Sequence, residues 1–114
     1  MSYQDKGNAI LDKSFRFACE IVIYTERLKA KRYFEIASQL LKSGTSIGAN
    51  AREAQRAVST KDFKNKLGIA LKEADETSFW LDVIEETKLF EVPSKLRQDC
   101  EELIKLLVSI IKNS

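Results

Sequence analysis

The chain has 114 residues, of which 44% are hydrophobic and 32% are charged, and its formal net charge is +2. This composition excludes a disordered chain, because disordered chains are poor in apolar residues and carry a high net charge. The length fits a single domain, residues 1–114, and the scarcity of glycine and proline favours long helices over a many-stranded sheet.

The first predicted helix covers residues 7–31. Its apolar side chains form two adjacent rows at helical spacing. One row is Ile10, Phe17, Ile21, Tyr24 and Leu28, and the other is Leu11, Phe15, Ala18 and Val22. The basic run at 29–32 opposes the negative end of the helix dipole and marks the first connection.

The second predicted helix covers residues 33–58, where apolar or small residues keep spacings of three and four. They are Ala37, Leu40, Leu41, Gly44, Ile47, Gly48, Ala51, Ala54 and Val58. Residues 43–50 are poor helix formers, since each glycine costs about 1 kcal/mol relative to alanine, so a loop there is an alternative. We favour a continuous helix, because Gly44, Gly48 and Ala51 share one side, where a neighbouring backbone can approach closely.

The third predicted helix covers residues 60–87. It begins after Ser59, whose hydroxyl is placed to cap the backbone N–H of Asp62. Its core row is Phe63, Leu67, Ala70, Ala74, Thr77, Leu81 and Ile84. A short link then leads to the only proline of the chain, Pro93.

The fourth predicted helix covers residues 93–112 and begins at Pro93 or Ser94, since proline is tolerated in a first helical turn. Its core row is Leu96, Cys100, Leu103, Leu107 and Ile110. Four amphipathic helices joined by short links bury their stripes by packing antiparallel to their neighbours. The predicted fold is therefore all-α, an antiparallel up-down-up-down four-helix bundle.

The chain contains no histidine. A serine or cysteine nucleophile therefore lacks its usual general base, and carboxylates lack the histidine with which they normally build a di-metal site in a bundle. We predict no enzyme activity, no metal and no cofactor.

The two cysteines and the absence of targeting segments indicate the compartment. Cys19 and Cys100 lie in apolar stretches, and we predict that both are free thiols packed in the core. No stretch approaches the roughly 18 apolar residues that span a bilayer, and the first residues lack the apolar core of a secretory signal. We therefore expect a cytoplasmic protein.

A polar stripe lies beside the core row of the second helix, and acidic residues of the third helix face it. The candidates are Ser46, Asn50, Glu53, Glu73 and Glu76. We interpret them as a polar network that hydrogen-bonds between helices or to a neighbouring subunit and fixes the register of packing. A solvated face is the alternative.

Three ordered segments carry a resemblance to a known family. They are SIGANAREA at 46–54, STKDF at 59–63 and ALKEADETSFWL at 70–81. With them the chain resembles, from about Phe15 to Ile111, the ribosomal RNA intervening-sequence protein family, bacterial four-helix bundles first noticed as reading frames within large-subunit ribosomal RNA genes. Members often carry a ribosomal-protein label, which reflects gene location.

The resemblance implies a four-helix bundle assembled into a homopentamer, with no established enzymatic activity and hence no catalytic residues to transfer. It also implies a relationship to the accessory proteins of diversity-generating retroelements. Those proteins look like the same pentameric bundle and associate with reverse transcriptase and RNA.

Charge is distributed unevenly along the predicted bundle. The end that holds both termini and the connection between the second and third helices carries more cations than anions. Our candidates for nucleic-acid binding are Arg52, Arg56, Lys61 and Lys64. In a cyclic oligomer every subunit would present these cations on the same side, where they would attract phosphates.

The leading hypothesis is thus weak association with RNA or DNA through this basic end. An ordinary solvated surface is the alternative for the cations, because no aromatic row for base stacking accompanies them in the sequence. The second hypothesis is a protein-interaction scaffold or accessory subunit that docks another protein, such as a reverse transcriptase.

Overall fold

The computed structural model describes the backbone of residues 3–114 and the side chains of residues 9–114; Met1 and Ser2 of the predicted domain lie outside these ranges. The described chain forms four helices and no strand. They are α1 (Tyr3–Ala30), α2 (Phe34–Ala54), α3 (Thr60–Thr87) and α4 (Ser94–Lys112). The predicted all-α four-helix bundle is confirmed.

The helices pack around a single core in the order of the chain. Contacts join α1 to α2, α2 to α3, α3 to α4, and α4 back to α1. The described residues measure 43 × 22 × 18 Å. A helix of 28 residues, the length of α1 and of α3, spans roughly 42 Å, so these two helices run the whole length of the molecule.

The core contains the predicted rows of α3 and α4 and the first row of α1, all of them buried. The second row of α1 is a correction to the prediction, since Phe15 is 56% exposed and Val22 is also exposed. Each helix contacts only two others, so this side of α1 has no helix to cover it. Val58 is likewise not a core residue, because it is 93% exposed beyond the end of α2.

The glycine-containing stretch of α2 is helical throughout, as predicted, and it lies against α1. A Cβ atom added at Gly44 would come within 2.8 Å of Cγ1 of Ile21, and one at Gly48 within 3.2 Å of the carbonyl oxygen of Ser14. Close packing of α1 against α2 therefore compensates for the poor helix propensity of residues 43–50.

Capping bonds set the end of α2 and the start of α3. The Ser59 hydroxyl accepts a hydrogen bond from the backbone N–H of Asp62 at 3.0 Å, which confirms the predicted cap. The Asp62 carboxylate in turn accepts a bond from the backbone N–H of Val58. Ser59 has extended backbone angles, so the chain must leave the helical conformation before it, and α2 ends at Ala54 rather than at residue 58.

The other two connections each contain one left-handed residue. Arg32 (φ 67°) follows α1 and Lys88 (φ 55°) follows α3. In each case the next backbone N–H donates to a carbonyl five residues back, from Tyr33 to Leu28 at 3.0 Å and from Leu89 to Ile84 at 3.2 Å. This pattern is a Schellman motif, which satisfies carbonyls at the helix end.

The remaining boundaries differ slightly from the predicted ones. α1 runs over 3–30 instead of 7–31, and α2 begins at Phe34 instead of residue 33. α4 begins at Ser94, one of its two predicted starts, because Pro93 is its extended N-cap residue. The α3 boundaries, 60–87, are as predicted.

Candidate nucleic-acid interface

The four predicted cations lie around the connection between α2 and α3. Arg52 is in the last turn of α2, Arg56 follows that helix, and Lys61 and Lys64 are in the first turns of α3. Arg52, Arg56 and Lys61 are exposed, whereas Lys64 is half-buried. The structure therefore brings all four to one end of the bundle.

The cations at this end fall into two groups, since within residues 9–114 some pair with carboxylates whereas the four candidates, like Lys66, Lys105 and Lys112, do not. At the same end, Lys13 pairs with Glu102 at 2.7 Å and Arg16 pairs with Asp12 at 3.2 Å. In contrast, the ion pairs found among the described side chains include none of the four candidates. Their charge is thus not neutralised by a carboxylate within ion-pair distance.

The helix termini add to the electrostatics of this end. The N-terminus of α3 carries the positive end of its dipole, which favours anions, and Lys61 and Lys64 lie beside it. Asp62 occupies the same turn and offsets part of this effect, but its carboxylate already accepts a backbone N–H bond. Arg52 lies at the negative end of the α2 dipole, which holds its guanidinium favourably.

A groove of about 850 Å³ between α1 and α2 reaches this end, and two of the four cations line it. The α1 wall carries Leu11, Phe15 and Ala18. The other wall is formed by Thr45, Gly48, Ala49, Arg52, Glu53, Gln55 and Arg56. Lys61 and Lys64 lie outside the groove, on α3.

The groove was missed from the sequence because Phe15 was placed in a core row. Gly48 and Ala49 present little or no side chain, so the α2 wall is low and the Phe15 ring stays exposed above it. The one available signal was the width of the apolar stripe on α1, which has a second row beyond the one that the core accommodates.

The predicted polar stripe stays on its own helices within one chain. The Ser46 hydroxyl donates to the carbonyl of Lys42 at 2.6 Å, and the Asn50 amide donates to the carbonyl of Ser46 at 2.8 Å. No side-chain hydrogen bond or ion pair of the described region joins the remaining members to another helix; these members are Glu53, Glu73 and Glu76. A role in contacts with a neighbouring subunit stays a prediction.

A different pair of residues makes the buried polar link between α2 and α3. The hydroxyl oxygens of Ser43 and Thr77 are 2.9 Å apart and hydrogen-bonded, and both residues are fully buried. Thr77 also donates to the carbonyl of Glu73. The sequence placed Thr77 in the core row but did not reveal its partner.

The two thiols have different environments. Cys100 is buried, 3.6 Å from the carbonyl oxygen of Ala74, and burial raises the pKa of its thiol to about 12. Cys19 is exposed, so its prediction as a core residue was wrong. It lies on the outward side of α1, which no other helix covers.

The Tyr24 hydroxyl is held by a backbone carbonyl of the connection between α3 and α4. Tyr24 donates to the carbonyl of Glu91 at 2.9 Å, and burial raises its pKa to about 12, so it stays protonated at neutral pH. The described residues hold no group of three or more side chains suited to a metal ion. None of the described helices is long and apolar enough to cross a membrane.

A second exposed apolar region lies at the opposite end of the bundle. Phe34 at the start of α2 and Phe79 in the second half of α3 are both more than half exposed. The Phe79 ring contacts Trp80 edge to face, with centroids 5.2 Å apart. Trp80 and Phe34 line one shallow cavity.

Comparison with known proteins agrees with the resemblance seen in the sequence. The family model described as 23S rRNA-intervening sequence protein matches residues 6–109. Among solved structures, a protein of unknown function from the S23 ribosomal protein family of Bacteroides thetaiotaomicron VPI-5482 is 46% identical, with a TM-score of 0.89. The match covers 94% of this chain and 98% of that one. No curated protein matches the chain.

Proposed function

The chain belongs to the 23S rRNA-intervening sequence protein family, and from that premise we propose that it is a non-enzymatic homo-oligomer, a pentamer, that binds RNA or DNA weakly through its basic end. The observation that carries the proposal is the group of four cations without carboxylate partners: Arg52, Arg56, Lys61 and Lys64. The site of action proposed is the cytoplasm, where the free thiols of this chain would remain reduced.

Assembly would strengthen the positive field of the basic end, which is modest in one subunit. In a closed ring each subunit presents the same surface on the same side, so the unpaired cations of all copies add to one field. Binding of this kind releases counterions from the phosphates and therefore weakens steeply with salt. It carries little base specificity, because contacts to phosphate read no sequence.

A filter-binding titration with RNA at about 50 mM and 200 mM salt tests the proposal. The test variant changes Arg52, Arg56, Lys61 and Lys64 to alanine. The control changes four cations at the opposite end of the bundle, namely Lys29, Lys31, Lys88 and Lys95. Both variants lose four positive charges, so a difference between them reports the position of the charges and not the net charge.

We expect the test variant to lose at least about tenfold in affinity at the lower salt and to show a shallower salt dependence, because fewer phosphates are neutralised. The control should bind more nearly like the unmodified protein. Equal losses in the two variants would contradict an assigned site, and no binding by the unmodified protein at low salt would remove nucleic acid from the proposal.

A second candidate function is a scaffold or accessory subunit that docks another protein, such as a reverse transcriptase. The exposed aromatic residues Phe34 and Phe79 support it, because apolar rings exposed on a surface otherwise rich in charge are typical of protein contacts. They lie at the opposite end from the basic surface. Absence of nucleic-acid binding in the titration would favour this candidate.

A further inference from the structure

We propose that Phe15 is a stacking platform for an unpaired base, so that the ligand of the groove between α1 and α2 is single-stranded nucleic acid. This inference rests on the proposed function and narrows its ligand class. It is carried by one juxtaposition: an exposed aromatic ring and two arginines without carboxylate partners line the same groove.

Phe15 is more exposed than the other apolar residues of its row that line the groove. Its neighbours along the α1 row, Leu11 and Ala18, are half-buried, whereas Phe15 is 56% exposed. The cause is local, because α2 meets α1 here through Gly48 and Ala49, which leave the face of the ring uncovered. A planar apolar surface is thus available for contact inside a groove that is open to solvent.

The arginines beside Phe15 indicate which class of ligand the groove would bind. Arg52, in the last turn of α2, and Arg56, just beyond that helix, line the groove together with Phe15. A nucleotide whose base lies on the ring can place its phosphates at guanidinium groups, which bind phosphate in a bidentate manner. Aromatic rings beside a cationic track are the usual means of binding single strands without sequence preference.

The same geometry disfavours a duplex. Bases in a duplex are stacked on one another and paired, so a ring within a groove between two helices cannot reach a base face. An aromatic contact therefore adds affinity only for bases that are free to leave the stack. A duplex would be held by the cations alone.

Glu53 is a further feature of the groove and gives a control. Its carboxylate lines the groove beside the arginines and repels phosphate groups that come near it. Glu53→Gln keeps the shape of the side chain and removes the charge. This change should strengthen the binding of single strands and duplexes alike, because it acts on phosphates and not on stacking.

Fluorescence anisotropy with labelled oligonucleotides of about 12 nucleotides, a length within the range of such sites, tests the inference. The probes are a uridine single strand, a thymidine single strand and a duplex, and the variants are Phe15→Leu and Phe15→Trp. Leucine keeps an apolar side chain but offers no ring. We expect Phe15→Leu to weaken both single strands roughly fivefold or more, the effect of removing one base stack. Duplex binding should not change, and Phe15→Trp should bind single strands at least as well as phenylalanine.

Several outcomes overturn the inference. If Phe15→Leu binds single strands like the unmodified protein while Arg52→Ala and Arg56→Ala lose binding, the stacking role is wrong and the proposed function stands. If Phe15→Leu weakens duplexes equally, or changes the mass of the oligomer in sedimentation, the ring serves assembly or general packing instead. If the unmodified protein binds none of the three probes, both proposals fail.

Discussion

Gly44 and Gly48 lie on α2 where α1 leaves room for no side chain. A Cβ atom at Gly44 would meet the Ile21 side chain at 2.8 Å, closer than such atoms normally approach. Ile21 is itself fully buried and has little freedom to move. The two glycines therefore set the distance between the helices that form the groove.

The space around each glycine predicts opposite effects for two glycine substitutions. Gly44→Ala should lower the free energy of unfolding by about 1–3 kcal/mol, the usual effect of overpacking a core. Gly68 lies on the exposed side of α3 with nothing within 4 Å of an added Cβ, so Gly68→Ala should raise stability by up to about 1 kcal/mol. Urea unfolding followed by circular dichroism measures both. A neutral Gly44→Ala would mean that α1 can shift outward without loss.

The hydrogen bond between the buried hydroxyls of Ser43 and Thr77 could not be predicted from either residue alone. By periodicity Thr77 falls in the core row of α3, whereas Ser43 falls in the polar stripe beside the core row of α2; the structure buries both. Only the packing of α2 on α3 shows that the two hydroxyls satisfy each other. Such a pair favours one register of the two helices, because a shift would break the bond between them and leave each hydroxyl only a carbonyl of its own helix, that of Leu40 for Ser43 and that of Glu73 for Thr77.

At the scale of elements, the helix ends fall into two kinds. The connection between α2 and α3 starts α3 with a serine cap, and the other two connections contain Arg32 and Lys88 in the left-handed conformation. A residue with a Cβ in this conformation costs roughly 1 kcal/mol or more, and glycine avoids that cost. Substitution by glycine at these two positions should therefore stabilise the protein.

We expect Lys88→Gly to raise the free energy of unfolding by about 0.5–1 kcal/mol, because the Schellman motif is kept and the strain is removed. Lys88→Ala is the matched control, since it removes the same charge but keeps the Cβ, and it should give no gain. Thermal unfolding of the two variants side by side separates backbone strain from charge. A gain in the alanine variant equal to that in the glycine variant would contradict the explanation.

For most helices the sequence was sufficient to predict the buried side, because a helix with a single apolar stripe can bury that stripe in only one orientation. The stripes of α3 and α4 show this, with every predicted core residue buried. It was not sufficient for α1, where two adjacent apolar rows were equally good candidates for burial. Nor did it place the end of α2, since the spacing continues to Val58 while the turn toward Ser59 requires extended backbone.

At the scale of the whole molecule, the candidate site depends on contacts and distances between helices. The spacing of residues in the sequence does not predict these. Helical topology was enough to place Arg52, Arg56, Lys61 and Lys64 at one end. Whether a cation is paired depends on which carboxylate the neighbouring helix presents, as Lys13 and Glu102 illustrate across α1 and α4. The groove depends on how closely α1 approaches α2.

The proposed self-association is also a property of the whole molecule, and a substitution at Asn50 tests it. The residue is half-buried on α2, and it lies in the polar stripe that we predict to contact a neighbouring subunit. Asn50→Leu would leave the polar groups that face it unsatisfied, at about 1–3 kcal/mol for each interface, and should shift the protein to smaller species in sedimentation velocity. Asn65→Leu, an exposed asparagine on α3, is the control. An unchanged sedimentation profile for Asn50→Leu would place the stripe outside the interface.

The contrast between the two cysteines offers an experimental handle that needs no mutagenesis. A maleimide reagent reaches the exposed Cys19, whereas Cys100 is enclosed and stays protonated. A spin label or fluorophore would thus attach to a single atom on α1, one helical turn beyond Phe15. From there it would test both proposals in one sample, by reporting the separation of copies in the proposed oligomer and the arrival of an oligonucleotide in the proposed groove.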